Sequence, residues 1–136
     1  MRRRVDEARV GRLATVTPEG TPHVVPCCYV LAGETVYSAV DGKPKSTLAL
    51  RRLDNVRAHP TTSLLVDHYD DDWSALWWIR LDGAARVLDA TTDPAAAAEQ
   101  VRALDLLAAK YPQYRERRPP GAVLALDVER WRAWSP

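Results

Sequence analysis

Along the first third of the chain, short apolar stretches are separated by turn residues. RLATVT (12–17), HVVPCCYVL (23–31) and TVYSAV (35–40) each read as a strand. PEGTP joins the first two: Pro18 fixes φ and Gly20 supplies a positive φ, which predicts a β-hairpin. A turn at AGE leads into the third, so three antiparallel strands are expected in succession. Pro26 has no amide hydrogen for a ladder, which places its strand at an edge or a bulge. Residues 2–10 read as a short helix. From Pro44 to Ala58 the period changes to helical, with Ala49, Leu53 and Val56 on one face, and His59-Pro60 ends it. TSLLVDHY (62–69) returns to strand, and LWWIRLDGAARVLD (76–89) reads as one long strand or a bulged pair. Ala97, Val101, Leu104 and Ala108 form a helical stripe between Asp93 and Lys110, and AVLALDVERWRAW (122–134) closes the chain as strand. Strands outnumber helices and hairpins outnumber βαβ units. The pattern predicts a mainly β fold, a small antiparallel barrel with peripheral helices.

At 136 residues the chain fits one domain, 1–136, and no linker or repeat divides it. Hydrophobic residues make up 46% and charged residues 27%, with a formal net charge of +1. That balance gives no electrostatic case for nucleic acid or a membrane surface. The basic start MRRRVDEARVGRL has no apolar core to make it a signal peptide, since Asp6, Glu7 and Arg9 interrupt it. No window approaches the ~18 apolar residues of a spanning helix. The only cysteines, Cys27 and Cys28, are adjacent, and a bridge between them closes no useful loop. Reduced thiols in a cytoplasmic protein are the expectation.

Much site chemistry is excluded by spacing. DGKPKST resembles a phosphate loop, but Pro44 follows Lys43 where the nucleotide-hydrolase pattern needs Ser or Thr. No GxGxxG marks a dinucleotide site. The acidic run Asp70–Asp72 lacks the glycine and terminal glutamate of a calcium loop and reads as a solvated turn. His23, His59 and His68 are scattered, so no metal site is expected. In a strand Cys27 and Cys28 point to opposite faces, and nothing marks either thiol as activated.

Two features remain. Lys43 and Lys45 flank Pro44 at a strand-to-helix junction, where they can converge with helix N-terminal amides on a phosphate, aided by the Ser46 and Thr47 hydroxyls. The competing reading makes them solvated loop residues, with Ser46 as a helix cap. The other feature is DHYDDDWSALWWIR, which holds three of the five tryptophans in a chain without phenylalanine. Such a cluster suits a ligand wall, a subunit interface or a plain core. Trp77 and Trp78, adjacent in a strand, cannot fill the same core.

RLATVTPEGTPHVVPCCYV, AVDGKPKSTLALRRL, LLVDHYDDDW and LWWIRLDGAARVL, in this order, resemble the pyridoxamine 5'-phosphate oxidase-like split-barrel family. More narrowly they resemble its actinobacterial branch that uses the deazaflavin coenzyme F420. The resemblance spans residues 5–136 and is weakest in the C-terminal helix. It implies a six-stranded antiparallel split β-barrel and a homodimer with two cofactor sites at the interface. It further implies that Lys43 and Lys45, with Ser46 or Thr47, hold the cofactor phosphate, and that Ser38, Ala39 and Val40 lie along the ring. Trp77 joins these as a candidate ring wall. The chain ends in RWRAWSP, without the Arg-Leu-x-Pro ending that holds pyridoxal phosphate in the true oxidases, so vitamin B6 chemistry is not expected.

The function implied is hydride transfer between reduced F420 and a small conjugated acceptor such as an enone, quinone or tetrapyrrole. Tyr37, His68 or solvent would supply the accompanying proton. FMN in the same pocket is the alternative, and a non-enzymatic carrier of F420, heme or an apolar metabolite is a third reading. Arg51, Arg52, Arg80 and Arg86 are candidates for the oligoglutamate tail of F420.

Overall fold

The computed structural model describes residues 1–40, 47–89, 93–119 and 121–136, with side chains in the segment 47–50 excepted. In chain order the elements are α1 (Arg2–Glu7), β1 (Gly11–Val16), β2 (Pro22–Cys27), β3 (Val30–Ala32), β4 (Thr35–Ala39), α2 (Thr47–Ala58), β5 (Thr61–His68), β6 (Trp77–Leu88), α3 (Pro94–Lys110), α4 (Pro112–Glu116) and β7 (Val123–Trp134). A single 3-10 turn, Trp73–Ala75, precedes β6.

The β1–β2 turn forms as its sequence predicts. Gly20 sits at φ +88°, its amide donates to the Thr17 carbonyl at 2.8 Å, and Thr17 and Thr21 close the loop at 2.8 Å. β2 then lies at one end of a seven-stranded sheet ordered β2-β1-β5-β6-β7-β4-β3, so Pro26 is on an edge strand, where its missing amide leaves no gap in the ladder.

Residues 23–31 are not one strand, and this is why the sheet has seven strands where six were expected. The run breaks after Cys27: β2 pairs with β1, whereas β3 pairs with β4 at the opposite end of the sheet. Only Cys28 and Tyr29 join these two ends, a span of at most about 11 Å between the flanking Cα atoms. The sheet must therefore curl until its ends nearly meet, which makes a split barrel. Tyr29 fixes the crossing. Its amide donates to the Tyr111 hydroxyl at 3.0 Å, and its own hydroxyl donates to the Val5 carbonyl.

The curl gives the sheet an inside and an outside. Leu13, Leu64, Val66, Ile79, Leu81, Leu124 and Leu126 fill the inside, closed by Val5 of α1 and by Leu53 and Val56 of α2. Asn55 ties α2 to the barrel by donating to Thr15 Oγ1 at 3.0 Å, both groups being buried. On part of the outside, α3 covers Tyr37, Ala39, Val123 and Ala125. β4 and the first four residues of β7, Val123 to Leu126, are thus buried on both faces.

β6 is one continuous strand of 12 residues with a register shift at Asp82/Gly83. A Cβ on Gly83 would stand 2.0 Å from the Asp127 carbonyl oxygen, so only glycine permits this approach. α3 begins where its sequence predicts: Asp93 caps it, accepting from the Ala95 amide at 3.0 Å, with Pro94 in the first turn. The buried face of α3 is rotated from the expected stripe, however. Gln100, Ala103, Leu107 and Ala108 are buried, while Val101 is 57% exposed. Two polar residues explain the rotation: Gln100 donates to the Gly121 carbonyl at 3.2 Å, and Glu99 meets Arg86 at 2.7 Å.

Candidate functional site

The outer surface of β1, β5 and β6, which no helix of the described residues covers, carries a groove of about 520 Å³. Its floor follows from strand alternation. Leu13, Leu64, Val66 and Ile79 point inward, so Ala14, Leu65 and Trp78 point outward beside Arg12, Ser63, Asp67 and Arg80. Trp134 of β7 stands across from Trp78 in register, and Val24 of β2 closes the other side. Trp77 has the opposite parity. It is half-buried against the barrel core and meets the groove at its end, where its ring stacks on His68 at 6.4 Å and 23°. The Arg4 guanidinium lies 5.0 Å from the Trp77 centroid.

Charges at the groove are mostly paired. Arg12 meets Asp67 at 3.2 Å, and Arg80 meets Asp82 at 2.9 Å. Burial works against ionisation of Asp82, yet bonds from Ser63 at 2.6 Å and from Arg80 hold its carboxyl below the usual range. His68 Nε2 is 3.7 Å from Asp70. Asp70 and Asp72 organise the exposed turn: Asp70 accepts from the Asp72 amide at 2.8 Å, and Asp72 accepts from the Ser74 amide and hydroxyl. The acidic run is therefore a solvated, self-capped turn. Around the groove, Val24 (61%), Tyr69 (68%), Trp73 (70%) and Trp134 (46%) expose apolar surface.

The residues singled out in the sequence are not all brought together. Trp77 is at the groove, as is Trp78. Ser38, Ala39 and Val40 are 2%, 4% and 7% exposed. Ser38 donates to the Cys28 carbonyl at 2.8 Å, Ala39 packs under α3, and Val40 faces the barrel interior. Lys43, Lys45 and Ser46 lie outside the described residues; Thr47 opens α2, and its side chain is likewise not described. Among the proton candidates, Tyr37 donates to Glu99 at 2.7 Å beneath α3, and burial pushes its hydroxyl up to about 12. His68 is the one of the pair at the groove. Arg86 spends four of its five N–H donors on Glu99 and Asp127 and does not line the groove, whereas Arg80 does. Arg51 is exposed, and Arg52 has a buried Nε without a hydrogen-bond partner among the described residues. Cys27 is buried, with its thiol pushed up to about 11 chiefly by burial.

Arg12, Ala14, Leu65 and Asp67 were missed as groove residues. The available signal was the doubled Leu64-Leu65 in β5: an apolar residue on each face of a strand means that both faces meet something apolar.

Comparison with curated proteins gives no match. Among solved structures, a conserved hypothetical protein from Mycobacterium tuberculosis superposes with a TM-score of 0.72 at 21% identity, covering 96% of this chain and 79% of that one. The heme storage protein HutZ from Vibrio cholerae gives 0.72 at 14% identity, covering 98% and 90%. An FAD-binding protein from Mesorhizobium loti gives 0.64 at 20% identity, covering 97% and 89%. Likenesses of this degree establish the fold. The family model for pyridoxamine 5'-phosphate oxidase matches residues 1–135, essentially the whole barrel with its crossing at Cys28–Tyr29, and the chain belongs to that family.

Proposed function

We propose that the chain is an oxidoreductase that binds coenzyme F420 across the indole-walled groove and uses it to reduce a small conjugated acceptor. The observation that carries the reading is the groove itself: Ala14, Leu65 and Trp78 give it apolar floor area, with Arg12 and Arg80 on either side of Leu65. Such a floor fits a planar tricycle, because stacking on indole needs flat apolar area, and Arg12 and Arg80, each paired with one aspartate, keep further N–H donors for an anionic group. When bound, reduced deazaflavin supplies the hydride.

The protein's part is position and exclusion. Trp78 and Leu65 hold the ring plane, Trp77 and His68 close one end, and Arg80 attracts the acidic tail. Lys43 and Lys45, with Ser46 and Thr47, are proposed as the phosphate contacts. Ser38, Ala39 and Val40, fixed on both faces, are the anchor from which that segment departs, and on this reading they set its distance from the ring. A second copy is proposed to cover the groove, since Val24, Tyr69, Trp73 and Trp134 surround it with exposed apolar surface. That copy would exclude water and complete two sites per dimer. No helix of the described residues is long and apolar enough to cross a membrane. A cytoplasmic location is proposed from the cofactor class and from Cys27 and Cys28, both free thiols.

FMN in the same groove is the alternative, supported by the FAD-binding structural neighbour. Heme carriage is favoured by one specific observation: His68 offers an imidazole at the end of an apolar groove, in a fold shared with a heme storage protein. One experiment separates the three. Purified protein is titrated with F420, FMN and heme, followed by fluorescence for the first two and Soret absorbance for the third, with sedimentation for the dimer. Tightest binding of F420 and a dimer are expected. Preferential FMN binding, or a heme spectrum that His68→Ala abolishes, would replace the F420 reading.

A further inference from the structure

At the C-terminal end of α3 two cations meet, neither of them in an ion pair among the described residues. Lys110 Nζ is sealed from solvent with no hydrogen-bond partner among the described residues, 4.0 Å from the Tyr29 ring centroid and 5.4 Å from that of Tyr111. The Arg9 guanidinium carbon is 5.8 Å from the Tyr111 centroid, and its hydrogen bond goes to the Lys110 backbone carbonyl at 2.7 Å. Burial first, and Arg9 second, lower the Lys110 amine to about 8, with Asp6 opposing.

A pocket of about 630 Å³ opens beside this pair, between Arg9, Cys28, Tyr111, Pro112, Gln113 and Tyr114. It shares no residue with the groove. Tyr111 and Tyr114 form an edge-to-face corner, with centroids 5.6 Å apart at 63°. The Tyr111 hydroxyl is engaged by the backbone of Arg9 and Tyr29, at 3.0 to 3.1 Å, so the corner is rigid. A buried ammonium without a hydrogen-bond acceptor is costly; the Tyr29 and Tyr111 ring faces offset part of that cost, and a nearby anion would offset more. Two neighbouring cations favour such an anion. The walls narrow its class further. Beside the Arg9 guanidinium and the Gln113 amide they offer two tyrosine faces, a proline and a thiol, and that apolar area suits an aromatic ring better than a bare phosphate.

We propose that this pocket is a second small-molecule site, taking a planar aromatic carboxylate. The carboxylate meets the Arg9 guanidinium, the ring packs in the Tyr111–Tyr114 corner, and Lys110 acts on the anion from behind Tyr111. The site is independent of the F420 reading, which can fail without affecting it.

The test is calorimetric titration of the full chain with 4-hydroxybenzoate, its neutral isostere 4-hydroxybenzamide, and inorganic phosphate. The benzoate is expected to bind at least about tenfold more tightly than the amide or phosphate, because a charge-assisted pair is lost with either. Arg9→Gln should cost about tenfold and Lys110→Met less, while Trp78→Ala changes nothing. Saturating benzoate should also slow alkylation of Cys28, read by mass spectrometry; Cys27, buried and with a raised thiol, reacts slowly in any case. No benzoate binding up to about 10 mM, equal binding of the amide or of phosphate, or full affinity in Arg9→Gln would overturn the proposal. Should Arg9→Gln fail to fold, the benzoate-to-amide ratio on the unaltered protein decides alone.

Discussion

Arg86→Met tests whether the packing of α3 on the sheet depends on one polar clamp. Arg86, outward on β6, donates from Nε and Nη2 to Asp127 of β7 at 2.7 and 3.1 Å, and from Nη1 and Nη2 to Glu99 of α3 at 2.7 and 2.8 Å. Tyr37 adds a bond to Glu99 at 2.7 Å, and Thr35 one to Asp127 at 3.0 Å, so β4, β6, β7 and α3 meet at a single guanidinium. Bonds to charged groups contribute about 1.5 to 3 kcal/mol each when buried, whereas exposed pairs contribute about 0 to 1. Arg86 is 42% and Asp127 48% exposed, but Glu99 only 17%, so the Asp127 side is discounted heavily and the Glu99 side is not. The substitution also leaves two carboxylates close together with no cation between them. About 2 kcal/mol is therefore expected at neutral pH, read from urea unfolding as a lower midpoint with an unchanged slope.

The pH dependence gives the sharper check. Bonds from Arg86 hold the Glu99 and Asp127 carboxyls below their usual ranges. A carboxyl depressed in the folded state adds stability that is present above its unfolded pKa, about 4, and is lost as pH falls through the folded value. The gap between wild type and Arg86→Met should stay constant from neutral pH down to about 5 and close below about 4. A double-mutant cycle with Glu99→Gln should recover a coupling of about 1 kcal/mol or more. A gap under about 0.5 kcal/mol, or one that persists unchanged into acid, would refute the clamp.

Three further outcomes are expected. Gly83→Ala should destabilise by about 2 to 4 kcal/mol, because its Cβ would meet the Asp127 carbonyl at 2.0 Å; thermal unfolding within a degree of wild type would show that the bulge relaxes freely. Asn55→Leu and Thr15→Val should each cost about 1 to 3 kcal/mol, the double variant costing less than their sum, since it leaves neither group unpaired; strict additivity in chemical denaturation would remove the Asn55–Thr15 bond as the tie between α2 and β1. On the F420 reading, Lys45→Ala should weaken cofactor binding about 10- to 150-fold with kcat largely kept at saturation, and Lys45→Arg should recover part of it; unchanged affinity in a folded Lys43→Ala/Lys45→Ala protein rejects the phosphate role.

What the sequence disclosed, and what it hid, divides by the range of the interaction. The β1–β2 turn, the edge position of Pro26, the Asp93 cap and the length of β6 follow from residues within a few positions of one another. The break at Cys28–Tyr29 has no such cause. VVPCCYVL contains no glycine and no turn dipeptide, and the residues that fix the crossing, Tyr111 and Val5, are 82 and 24 positions from Tyr29. The rotation of α3 has the same origin. Hydropathy ranks Val101 above Gln100, yet Gln100 is the buried residue because Gly121, 21 positions on, offers it a carbonyl. At the groove, the tryptophan cluster stood out by composition alone. Arg12 and Ala14 became legible only through the pairing Arg12↔Leu65 and Ala14↔Ser63, which no local pattern contains.

The crossing at Cys28–Tyr29 also decides where ligands can go. A sheet whose end strands are tied by two residues has too tight a curl to leave its interior empty, and Tyr29, Leu13, Leu64 and Ile79 fill it to within 2% exposure. Binding sites must then lie outside the barrel, where α3 already covers β4 and the adjoining part of β7. Among the described residues, the outside includes the β1–β5–β6 face, which holds the groove, and the seam where Tyr29 meets Tyr111, which holds the second pocket. The two differ in kind. The groove has its charges paired and is suited to a large planar group held by area; the pocket at the seam has the unpaired Arg9 in its wall and is suited to an aromatic anion. One local event, a strand broken to join the two ends of its own sheet, thus fills the barrel and leaves the groove and the seam pocket outside it.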